Sequence, residues 1–511
     1  MSGVPADELR AALKRYWGYD SFRPMQERIV RSLLDGRDAC VVMPTGGGKS
    51  LCYQLPAALR PRATTLVVSP LIALMQDQVA QLAQMGIAAG LLNSALAPAE
   101  QAAVLRQARA GSYRLLYVSP ERLARADTAG WLEQVPVGMF AIDEAHCISE
   151  WGHEFRPEYR QLSALRRQFP GVSLAAFTAS ATRQVRHDIL QQLQLRDPAK
   201  FIASFHRANL RYVARQCRGA ESRGLLERAL REYAGANVIV YAPTIAQVEE
   251  TAAWLTQRGI AALPYHGKMD TDTRRRHQEA WMADEVPVLV GTLAFGLGIN
   301  KATVRAVIHL ALPKSLEQYY QEAGRAGRDG EPADCVLLWQ KRDAGLLAHF
   351  IEQVNDPEER QRAWQRYHQV RQFVEAPVCR HRQICLHFGE TPVWTECGAC
   401  DVCGYEPAWL AAPAPEQARR ARPARERAVP AAAAGAEGDG LREKLREWRR
   451  QTAAENRTPA YVVMHDKSLD ELVRLRPRTL DELLEVSGFG ERKTALLGEA
   501  ILRVIAEATG R

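Results

Sequence analysis

Short runs of apolar and β-branched residues alternate with longer stretches of helical periodicity along most of the chain. Between about residue 35 and residue 340 these runs include DACVVM, TTLVVS, RLLYVS, MFAID, SLAAFTAS, NVIVYA, VPVLVGT, VRAVIHL and DCVLLW. Runs that are apolar throughout are typical of strands buried on both faces of a parallel sheet, with helices covering those faces. The runs form two sets that divide near residues 201–209, so the pattern predicts two α/β lobes.

The pattern of hydrophobic positions changes after the second lobe. A long helical stretch runs through Trp364–Phe373 and is followed by a group of cysteines. Residues 410–440 are mostly Ala, Pro and Gly with interspersed arginines, and such a segment buries too little apolar surface to offset the entropy of ordering it. Helical periodicity then returns in a small, mostly α segment. The predicted division is residues 1–204, 205–340, 341–408, a linker at 409–438, and 439–511.

The composition is that of a globular protein with several domains. The 511 residues exceed the roughly 250–300 at which a single hydrophobic core stops growing. Hydrophobic residues make up 47% and charged residues 25%, and no apolar run approaches the roughly 20 residues of a membrane span. The stretch MSGVPADELRAALKRY lacks the apolar core of a signal peptide, so we expect a cytoplasmic protein without a membrane partner, associated with the nucleoid if the source is bacterial. The net charge of +8 is compatible with an anionic partner.

A glycine-rich loop follows the first apolar run. The segment MPTGGGKS, from Met43 to Ser50, stands between a strand pattern and a helical pattern, which is the context of a phosphate-binding loop. Glycines in such a loop let backbone amides approach an anion, the lysine reaches the β- and γ-phosphates, and the serine ligates magnesium. Met43 stands where the strict pattern has glycine, and the alternative interpretation is a flexible glycine turn.

Two carboxylates, Asp143 and Glu144, come directly after the apolar run that ends at Ile142. A carboxylate at a neighbouring strand end can hold the magnesium ion of a bound nucleotide, and the next one can polarise an attacking water molecule. Taken alone, the pair is also compatible with a solvated acidic loop. Together with the glycine-rich loop it predicts a nucleotide-binding site.

Five of the ten cysteines lie close together after the second lobe. Cys397, Cys400 and Cys403 are spaced so that a tight knuckle can gather their thiols around one ion, and tetrahedral zinc needs a fourth ligand. Upstream of the knuckle the available groups are Cys379, Cys385, His381 and His387, and spacing alone does not choose among them. Zinc is favoured over disulfides in a cytoplasmic protein, and a closed four-sulfur site is structural rather than catalytic.

Seven blocks in a fixed order give the chain a specific resemblance. They are FRPMQ, MPTGGGKS, SPLIALMQDQV, DEAHCISEWGHEFRP, FTASAT, GTLAFGLGIN and QYYQEAGRAGRDG. With them the chain closely resembles the RecQ family of superfamily-two DNA helicases over about residues 10–405, and again at its C-terminus. The resemblance implies two RecA-like lobes, a small zinc-binding helical subdomain and an all-α terminal domain of the helicase-and-RNaseD C-terminal (HRDC) type. It also implies ATP-driven translocation along single-stranded DNA, three-prime to five-prime, with duplex unwinding in repair and recombination.

The resemblance assigns roles to individual residues. The implied catalytic set is Lys49, Asp143, Glu144, Gln321, Arg325 and Arg328, with Arg328 as the expected arginine finger. The implied nucleotide set is Tyr19, Arg23 and Gln26 around the adenine, and Thr45, Gly46, Gly47, Gly48, Lys49 and Ser50 around the phosphates. Magnesium is expected on Ser50 and Asp143, and zinc on Cys379, Cys397, Cys400 and Cys403. Thr292 and Asn300 are expected to contact DNA backbone and nucleotide, and residues 178–182 to link hydrolysis to lobe movement.

An aromatic-rich stretch, ISEWGHEFRPEY, follows the two carboxylates. In the family this loop lies between the nucleotide site and the DNA, and aromatic faces stack on bases without regard to sequence. We therefore expect Trp151 and Phe155 to stack on DNA or sense it, with His153 and Arg156 as polar companions. The alternative is that the two rings pack into the core, in which case Trp151→Ala would lower stability.

The C-terminal part departs from the family pattern. Many RecQ helicases carry a winged-helix domain between the zinc module and the terminal domain, and here only the linker stands in that place. We expect a DNA helicase that takes single-stranded and tailed or forked DNA, with single-stranded DNA-binding protein and other repair proteins as partners. The alternative is a DNA-structure-binding or strand-annealing ATPase with weak unwinding. An RNA helicase is disfavoured by the aromatic stretch and the zinc cluster.

A turn in the terminal segment carries two further alternatives. The sequence SGFG at residues 487–490 lies between two helical stretches. Backbone amides in such a turn can meet a DNA phosphate, or the turn is a plain corner between helices. The sequence does not choose between them.

Overall fold

The computed structural model describes residues 4–509 apart from residues 153, 293–300, 411–435, 457 and 459. In lobe 1 the elements are α1 Ala6–Trp17, α2 Gln26–Leu34, β1 Ala39–Val42, α3 Lys49–Ala58, β2 Thr64–Val68, α4 Ile72–Gln84, β3 Ala89–Leu92, α5 Pro98–Arg109, β4 Leu115–Val118, α6 Pro120–Leu123, α7 Thr128–Leu132, β5 Val137–Ile142, α8 Pro157–Arg160, α9 Ser163–Gln168, β6 Ser173–Thr178, α10 Arg183–Gln192 and β7 Ala199–Ile202. A 3-10 turn at Ala145–Ile148 follows β5.

Lobe 2 continues the same alternation of strand and helix. Its elements are β8 Leu210–Gln216, α11 Glu221–Glu232, β9 Asn237–Tyr241, α12 Ile245–Gln257, β10 Ala262–Tyr265, α13 Thr271–Met282, β11 Val288–Gly291, β12 Val304–His309, α14 Leu316–Ala323 and β13 Ala333–Trp339. The strand order is β3-β4-β2-β5-β6-β1-β7 in lobe 1 and β10-β11-β9-β12-β13-β8 in lobe 2, and the paired strands run parallel. Two parallel-sheet lobes are therefore confirmed.

The central strands are buried because their side chains are apolar on both faces of the sheet. All four residues of β1 and all five of β2 are buried, as are all six of β6. Parallel strands of this kind need helices on both faces, and the crossover helices supply them. The glycine-rich loop and the two carboxylates follow the carboxyl ends of β1 and β5, which is where open α/β sheets bind ligands.

A helical subdomain follows lobe 2 and consists of α15 Lys341–Glu352, α16 Pro357–Glu375, α17 Arg380–His387 and a cysteine knuckle at residues 397–403. Its buried side chains belong to one continuous core cluster with residues of both lobes. Phe388, after α17, stacks on Phe205 in the connection between the lobes, with ring centroids 4.4 Å apart. The subdomain is therefore fixed against both lobes.

The folded region extends slightly beyond the predicted start of the linker at residue 409. A 3-10 turn covers Ala408–Leu410, and Trp409 is only 6% exposed because it packs into the core of lobe 2. Its indole nitrogen donates to the hydroxyl of Tyr233 over 3.4 Å. The rest of the predicted linker, residues 411–435, lies outside the described residues.

The terminal domain is all-α, as predicted, and its first helix begins at residue 436. Its helices are α18 Ala436–Glu455, α19 Ala460–Val463, α20 Asp466–Leu475, α21 Leu480–Leu483 and α22 Glu491–Thr509. It has a hydrophobic core of its own, which includes Leu445, Leu469 and Ile501. Among the described residues, no helix of the protein has the length and apolarity required to cross a membrane.

The terminal domain contacts both lobes. On lobe 1, the SGFG turn packs against the end of α1, and a Cβ atom added to Gly490 would lie 2.3 Å from the carbonyl oxygen of Arg15. On lobe 2, Arg446 pairs with Asp284 at 3.1 Å. Asp466 lies 3.7 Å from the ammonium of Lys301, which also pairs with Asp284 at 2.7 Å. In this arrangement the turn is in contact with protein.

Candidate nucleotide site and metal centre

The glycine-rich loop connects β1 to α3 at the carboxyl edge of the lobe 1 sheet. Gly46 and Gly48 have φ angles of 82° and 81°, in the left-handed region that residues with a Cβ rarely adopt. A Cβ at Gly48 would also lie 2.3 Å from the side-chain nitrogen of Gln26. Lys49 opens α3, and its ammonium donates to the carbonyl oxygen of Met43 over 3.2 Å. The loop therefore curls back on itself at the start of α3, with the Lys49 ammonium directed at its first residue.

Two of the three residues expected around the adenine lie directly beside this loop. The side-chain amide of Gln26 donates to the carbonyl oxygens of Gly47 and Gly48, at 3.3 and 3.2 Å. The guanidinium of Arg23 donates to the carbonyl oxygen of Gly46. Tyr19 is 40% exposed.

The two carboxylates follow β5, and the backbone nitrogen of Glu144 donates to a carboxylate oxygen of Asp143 over 3.0 Å. Glu144 adopts a left-handed backbone with φ 46°, a strained conformation that clusters at functional sites. Burial and the neighbouring Glu144 raise the pKa of the Asp143 carboxyl to about 7, while the Lys49 ammonium opposes the rise. A pair of closely spaced, largely buried carboxylates is a donor set that fits a divalent cation such as Mg²⁺.

Lobe 2 completes the site with one amide and two guanidinium groups. The amide of Gln321, on α14, donates to the hydroxyl of Ser180 in lobe 1 over 2.9 Å. Arg328 packs on the phosphate loop, since its Cγ atom lies 3.3 Å from the point where a Cβ atom added to Gly46 would stand. Burial, and then the charges of Arg325 and Arg207, lower the pKa of Arg328 to about 9. Arg325 is buried and Arg328 and Arg207 are half-buried, so this group of cations would be stabilised by an anion at the loop.

Arg207 was not singled out from the sequence. It lies in the connection between the lobes and donates to the carbonyl oxygens of Gly324 and Gly327, at 3.3 and 2.8 Å, and to that of Thr45 in the phosphate loop at 3.5 Å. It therefore ties the arginine-bearing turn of lobe 2 to the loop of lobe 1. No local pattern marks it, because these three carbonyl partners are more than 100 residues away in sequence; the separation is 162 residues for Thr45.

The aromatic-rich loop is anchored to the carboxylates by one residue and exposes another. Tyr159 is fully buried, and its hydroxyl donates to the backbone carbonyl of Asp143 over 2.9 Å. Trp151 is 45% exposed, with the guanidinium of Arg362 from α16 over its ring at 5.7 Å. Phe155 is half-buried under Arg160, and Arg156 contacts Glu121 at 3.4 Å. The core-packing alternative does not apply to Trp151.

Of the two lobe 2 residues expected to contact DNA, Thr292 lies in the described part of the chain. The backbone nitrogen of Thr292 donates to the carbonyl oxygen of Tyr265 over 3.4 Å. Asn300 and His153 lie outside the described residues.

Four cysteine sulfurs form one cluster near the N-terminal end of α17, which Cys379 directly precedes. The Sγ atoms of Cys379, Cys397, Cys400 and Cys403 all lie within 4.8 Å of one another. Backbone amides of Arg380 and Ala399 donate to the sulfurs of Cys400 and Cys397, at 3.4 and 3.3 Å. Such N–H groups stabilise thiolates, and a four-sulfur set with this closeness fits tetrahedral Zn²⁺.

The other groups that spacing left open have different partners. His381 binds the carbonyl oxygen of Leu210 at 2.9 Å, and burial lowers its pKa to about 4. His387 pairs with Glu317 at 2.7 Å. Cys385 is fully buried and is not part of the four-sulfur cluster.

The cysteine knuckle also closes an edge of the lobe 2 sheet. Tyr212 of β8 donates its backbone N–H to the carbonyl oxygen of Ala399 over 3.1 Å, and the N–H of Ala214 donates to the carboxylate of Asp401 over 3.2 Å. The same carboxylate receives two bonds from the guanidinium of Arg380, at 2.9 and 3.0 Å. A metal that orders the knuckle therefore also protects an exposed strand edge.

Four protein families match successive parts of the chain. They are the DEAD/DEAH box helicase family over residues 23–188, the helicase conserved C-terminal domain over 221–330, the RecQ zinc-binding family over 341–404 and the HRDC domain over 439–505.

Curated relatives agree with these matches. The ATP-dependent DNA helicase RecQ of Haemophilus influenzae is 42% identical over 393 residues, which is 77% of this chain and 63% of the relative. That of Pasteurella multocida is 42% identical over 76% of this chain and 61% of the relative. The chain thus spans less than two thirds of the length of these two relatives. That of Bacillus subtilis is 32% identical over 97% of this chain and 98% of its own length.

Solved structures share the fold at low sequence identity. The Mss116p structure bound to ssRNA and AMP-PNP superimposes with a TM-score of 0.56 at 16% identity, covering 70% of this chain and 78% of that one. The helicase MrfA bound to DNA and AMPPNP superimposes with a TM-score of 0.54 at 19% identity, covering 66% and 51%. These likenesses support the arrangement of two helicase lobes.

Proposed function

The chain belongs to the RecQ family of ATP-dependent DNA helicases, and from this premise we propose that it couples ATP hydrolysis to three-prime to five-prime translocation on single-stranded DNA and to duplex unwinding in repair and recombination. The observation that carries the proposal is the approach of Arg328 of lobe 2 to Gly46 in the phosphate loop of lobe 1. The Cγ atom of Arg328 lies 3.3 Å from the point where a Cβ atom added to Gly46 would stand. A nucleotide bound there would be held by both lobes. Binding and hydrolysis would therefore change the relation between the lobes, which is what a translocating motor requires.

Each group at the nucleotide site has a proposed task. Lys49 and the loop amides bind the β- and γ-phosphates, and Arg325 and Arg328 stabilise the charge that develops on the γ-phosphate. Glu144 takes a proton from the attacking water. Ser50 and Asp143 are the residues that would hold Mg²⁺, and that ion, when bound, neutralises charge on the phosphates. Tyr19, Arg23 and Gln26 are proposed to surround the adenine.

Coupling to DNA is proposed to run through the aromatic-rich loop. Trp151 exposes a ring that can stack on a base, whereas Tyr159 at the other end of the loop holds the backbone of Asp143 at 2.9 Å. A shift of the loop on binding DNA would therefore reach the carboxylates through residues 151–159. Phe155 and Arg156 lie between these two residues and are proposed to support the same contact.

Zinc is proposed on Cys379, Cys397, Cys400 and Cys403, with a structural role. Zinc–thiolate sites with four protein ligands leave no open position for a substrate. Arg380, which follows the first of these cysteines, binds Asp401 inside the knuckle at 2.9 Å. The metal therefore orders a segment that packs on lobe 2.

A weaker unwinding activity is the second candidate function. The zinc-binding match ends at residue 404 and the HRDC match begins at residue 439, so only 438 − 405 + 1 = 34 residues lie between them. This is fewer than the roughly 50 residues of a small domain, so a winged-helix domain does not fit there. A DNA-structure-binding or strand-annealing ATPase would have the same nucleotide site with a smaller strand-separating capacity.

Unwinding of a three-prime-tailed DNA duplex separates these candidates. The intact chain should separate the strands with ATP, and Lys49→Ala should not, because the ammonium that binds the phosphates is lost. Equal separation by both proteins would exclude an ATP-driven motor. Annealing of complementary single strands by both proteins, without unwinding by either, would favour the second candidate. Stimulation of ATP hydrolysis by RNA in preference to DNA would overturn the proposed substrate.

A further inference from the structure

A histidine, a cysteine and a glutamate meet between the carboxylate pair and the aromatic-rich loop. They are His146 and Cys147, on the 3-10 turn that follows β5, and Glu154 on the loop. The nitrogen, sulfur and oxygen atoms that they can offer to a metal all lie within 4.8 Å of one another. None of the three belongs to the four-sulfur cluster or to the Asp143–Glu144 pair, so the group is separate from both metal positions described above.

Two backbone contacts bring Glu154 back to this turn. A Cβ atom added to Gly152 would lie 2.9 Å from the carbonyl oxygen of His146, so the close approach of the loop requires glycine. The backbone N–H of Arg156 donates to the carbonyl oxygen of Cys147 over 2.9 Å. Glu154 lies between these two contacts, and its carboxylate is therefore held opposite the side chains of the turn.

Hydrogen bonds on the other side of the imidazole determine which ring nitrogen faces the group. The hydroxyl of Thr178 donates to a backbone carbonyl over 3.1 Å, so its oxygen accepts the proton of Nδ1 of His146 at 2.9 Å. A carboxylate oxygen of Glu144 also lies 3.3 Å from Nδ1. Nε2 is then the nitrogen that faces the sulfur of Cys147 at 3.8 Å and the carboxylate of Glu154 at 3.9 Å. Metal-binding histidines have this arrangement, with the second ring nitrogen donating to a carboxylate or another oxygen.

The three donors fit Zn²⁺ better than Mg²⁺, which prefers oxygen ligands. Zinc binds such donors at about 2.0–2.3 Å, so tetrahedral ligand atoms stand roughly 3.3–3.8 Å apart, close to the two separations from Nε2. One thiolate and one carboxylate also balance the charge of the ion, which matters because His146 and Cys147 are almost completely buried. The Glu154 side chain is 35% exposed, so the group is reached from solvent on that side.

We propose that His146, Cys147 and Glu154 form a regulatory Zn²⁺ site that slows DNA-stimulated ATP hydrolysis. The ion takes the place of any proton on the thiol and on Nε2, and these protons go to solvent. A metal on Nε2 makes the Nδ1–H a stronger donor to Glu144, so the carboxylate that takes a proton from water becomes less basic. The ion also holds the loop to the turn, which opposes a shift of the loop when DNA binds. The metal site itself stands on geometry, whereas its effect on hydrolysis rests on the proposed function.

Cobalt titration of the zinc-loaded chain tests the site directly. The four-cysteine cluster is first filled with one zinc ion per chain, and elemental analysis after the titration checks that this zinc has stayed. We expect one equivalent of Co²⁺ to bind, with the visible absorption of tetrahedral cobalt and a near-ultraviolet sulfur-to-cobalt charge-transfer band. Cys147→Ser should lose the charge-transfer band, and Glu154→Gln should keep it at a lower affinity. A parent chain that shows no such band would overturn the site.

Inhibition by added Zn²⁺, at constant ATP, Mg²⁺ and saturating single-stranded DNA, tests the regulatory effect. Loss of an outer-shell partner costs about 10- to 100-fold in metal affinity, so loss of a direct ligand should raise the Zn²⁺ concentration for half-inhibition at least about 10-fold. This shift is expected in Cys147→Ser and in Glu154→Gln. The second variant replaces a partly exposed side chain by one of the same shape, so it remains informative if Cys147→Ser does not fold.

The control is Glu158→Gln, a partly exposed glutamate later in the same loop that is not part of the three-residue group. It should be inhibited at the same Zn²⁺ concentration as the parent chain. Equal zinc sensitivity of the parent chain and Glu154→Gln would overturn the regulatory site, because zinc would then act elsewhere, for example in place of Mg²⁺, and the proposed function would stand. Absence of DNA-stimulated hydrolysis in the parent chain without added zinc would instead overturn the proposed function.

Discussion

The side-chain amide of Gln321 donates to the hydroxyl of Ser180 over 2.9 Å, and this bond joins lobe 2 to lobe 1 beside the nucleotide site. The carbonyl oxygen of Ser180 in turn accepts the hydroxyl of Thr178 over 3.1 Å, and Thr178 contacts Nδ1 of His146 at 2.9 Å. A continuous polar path therefore leads from α14 of lobe 2 to the segment that carries the two carboxylates.

Gln321→Ala should weaken the link between DNA binding and hydrolysis. A neutral hydrogen bond contributes about 0.5–1.5 kcal/mol, so we expect the ATP hydrolysis rate in saturating single-stranded DNA to fall roughly 2- to 10-fold. The rate without DNA should fall less, because the bond acts between the lobes. Gln318→Ala on the same helix is the control, since its amide bonds within lobe 2 to Glu322 at 3.1 Å. Equal losses with and without DNA would contradict the coupling role of Gln321.

Arg328→Ala should have a larger effect on hydrolysis than on nucleotide binding. An arginine that stabilises the transferring phosphoryl group is worth about 10³- to 10⁵-fold in turnover. Burial and the charges of Arg325 and Arg207 already disfavour the charged form of Arg328, so a bound triphosphate relieves repulsion that exists before binding. A non-hydrolysable ATP analogue should therefore raise the unfolding temperature of the parent chain more than that of the variant. A variant with near-normal turnover would show that Arg328 does not contact the reacting phosphate.

The strands that the sequence pattern did not predict are the four strands at the sheet edges. They are β3 and β7 in lobe 1 and β8 and β10 in lobe 2. An edge strand is covered incompletely, so it does not need to be apolar throughout; β7, for example, has exposed residues at Lys200 and Ile202. Central strands produce the continuous apolar runs that a sequence reveals, and edge strands do not.

The residues of the candidate site also differ in whether the sequence alone reveals them. The phosphate loop, the carboxylate pair and the cysteine knuckle are local in sequence, so their chemistry could be predicted from spacing. Arg207 acts through partners on other elements, and no local pattern reports such contacts. The docking of the SGFG turn on α1 also depends on tertiary structure, because a close approach such as that of Gly490 to Arg15 requires both surfaces.

Cys379→Ser and Cys385→Ser should differ in zinc content. The sulfur of Cys379 lies in the four-sulfur cluster, whereas Cys385 is fully buried outside it. The parent chain should contain one zinc ion per chain by elemental analysis, Cys385→Ser should keep it, and Cys379→Ser should lose most of it. Loss of zinc should also lower the unfolding temperature, because metal binding contributes directly to the folding of such a module. Retention of zinc by Cys379→Ser together with its loss from Cys385→Ser would reverse the ligand assignment.

Asp284→Asn should destabilise lobe 2 and its contact with the terminal domain. Asp284 pairs at 2.7 Å with Lys301, whose side chain is completely buried, and at 3.1 Å with Arg446 of α18. Removal of the Asp284 charge leaves the buried Lys301 ammonium with only the more distant carboxylate of Asp466, at 3.7 Å, and breaking a buried pair in this way costs roughly 3 kcal/mol. The unfolding temperature should therefore fall clearly. Glu285→Gln is the matched control, because Glu285 forms an exposed pair with Arg450 at 3.6 Å, and such pairs contribute about 0–1 kcal/mol.

The Asp284 carboxylate also predicts how the stability of the protein depends on pH. Burial alone would raise its pKa, but Lys301, Asn237 and Arg446 outweigh that effect and hold the pKa of Asp284 below its ordinary value of 3.8. A carboxyl with a depressed folded-state pKa contributes stability that is present above the unfolded pKa and is lost as the pH falls through the folded one. The stability difference between the parent chain and Asp284→Asn should thus be constant near neutral pH and shrink only below about pH 4. A difference that shrinks between pH 8 and pH 6 would point to another group.

Trp151→Ala is the sharpest test of the aromatic-rich loop, because burial and DNA sensing predict opposite results. A ring that is 45% exposed contributes little to the core, so the unfolding temperature should change only slightly. Stacking on a base is worth about 1–3 kcal/mol, so affinity for single-stranded DNA should fall roughly 5- to 150-fold, and stimulation of hydrolysis by DNA should be largely lost. The control is Trp254→Ala, since Trp254 also lies under an arginine, Arg258, at 4.7 Å but belongs to α12 of lobe 2 and not to the aromatic-rich loop. A large drop in unfolding temperature with normal stimulation would mean that Trp151 stabilises the contact with α16 through Arg362 and does not sense DNA.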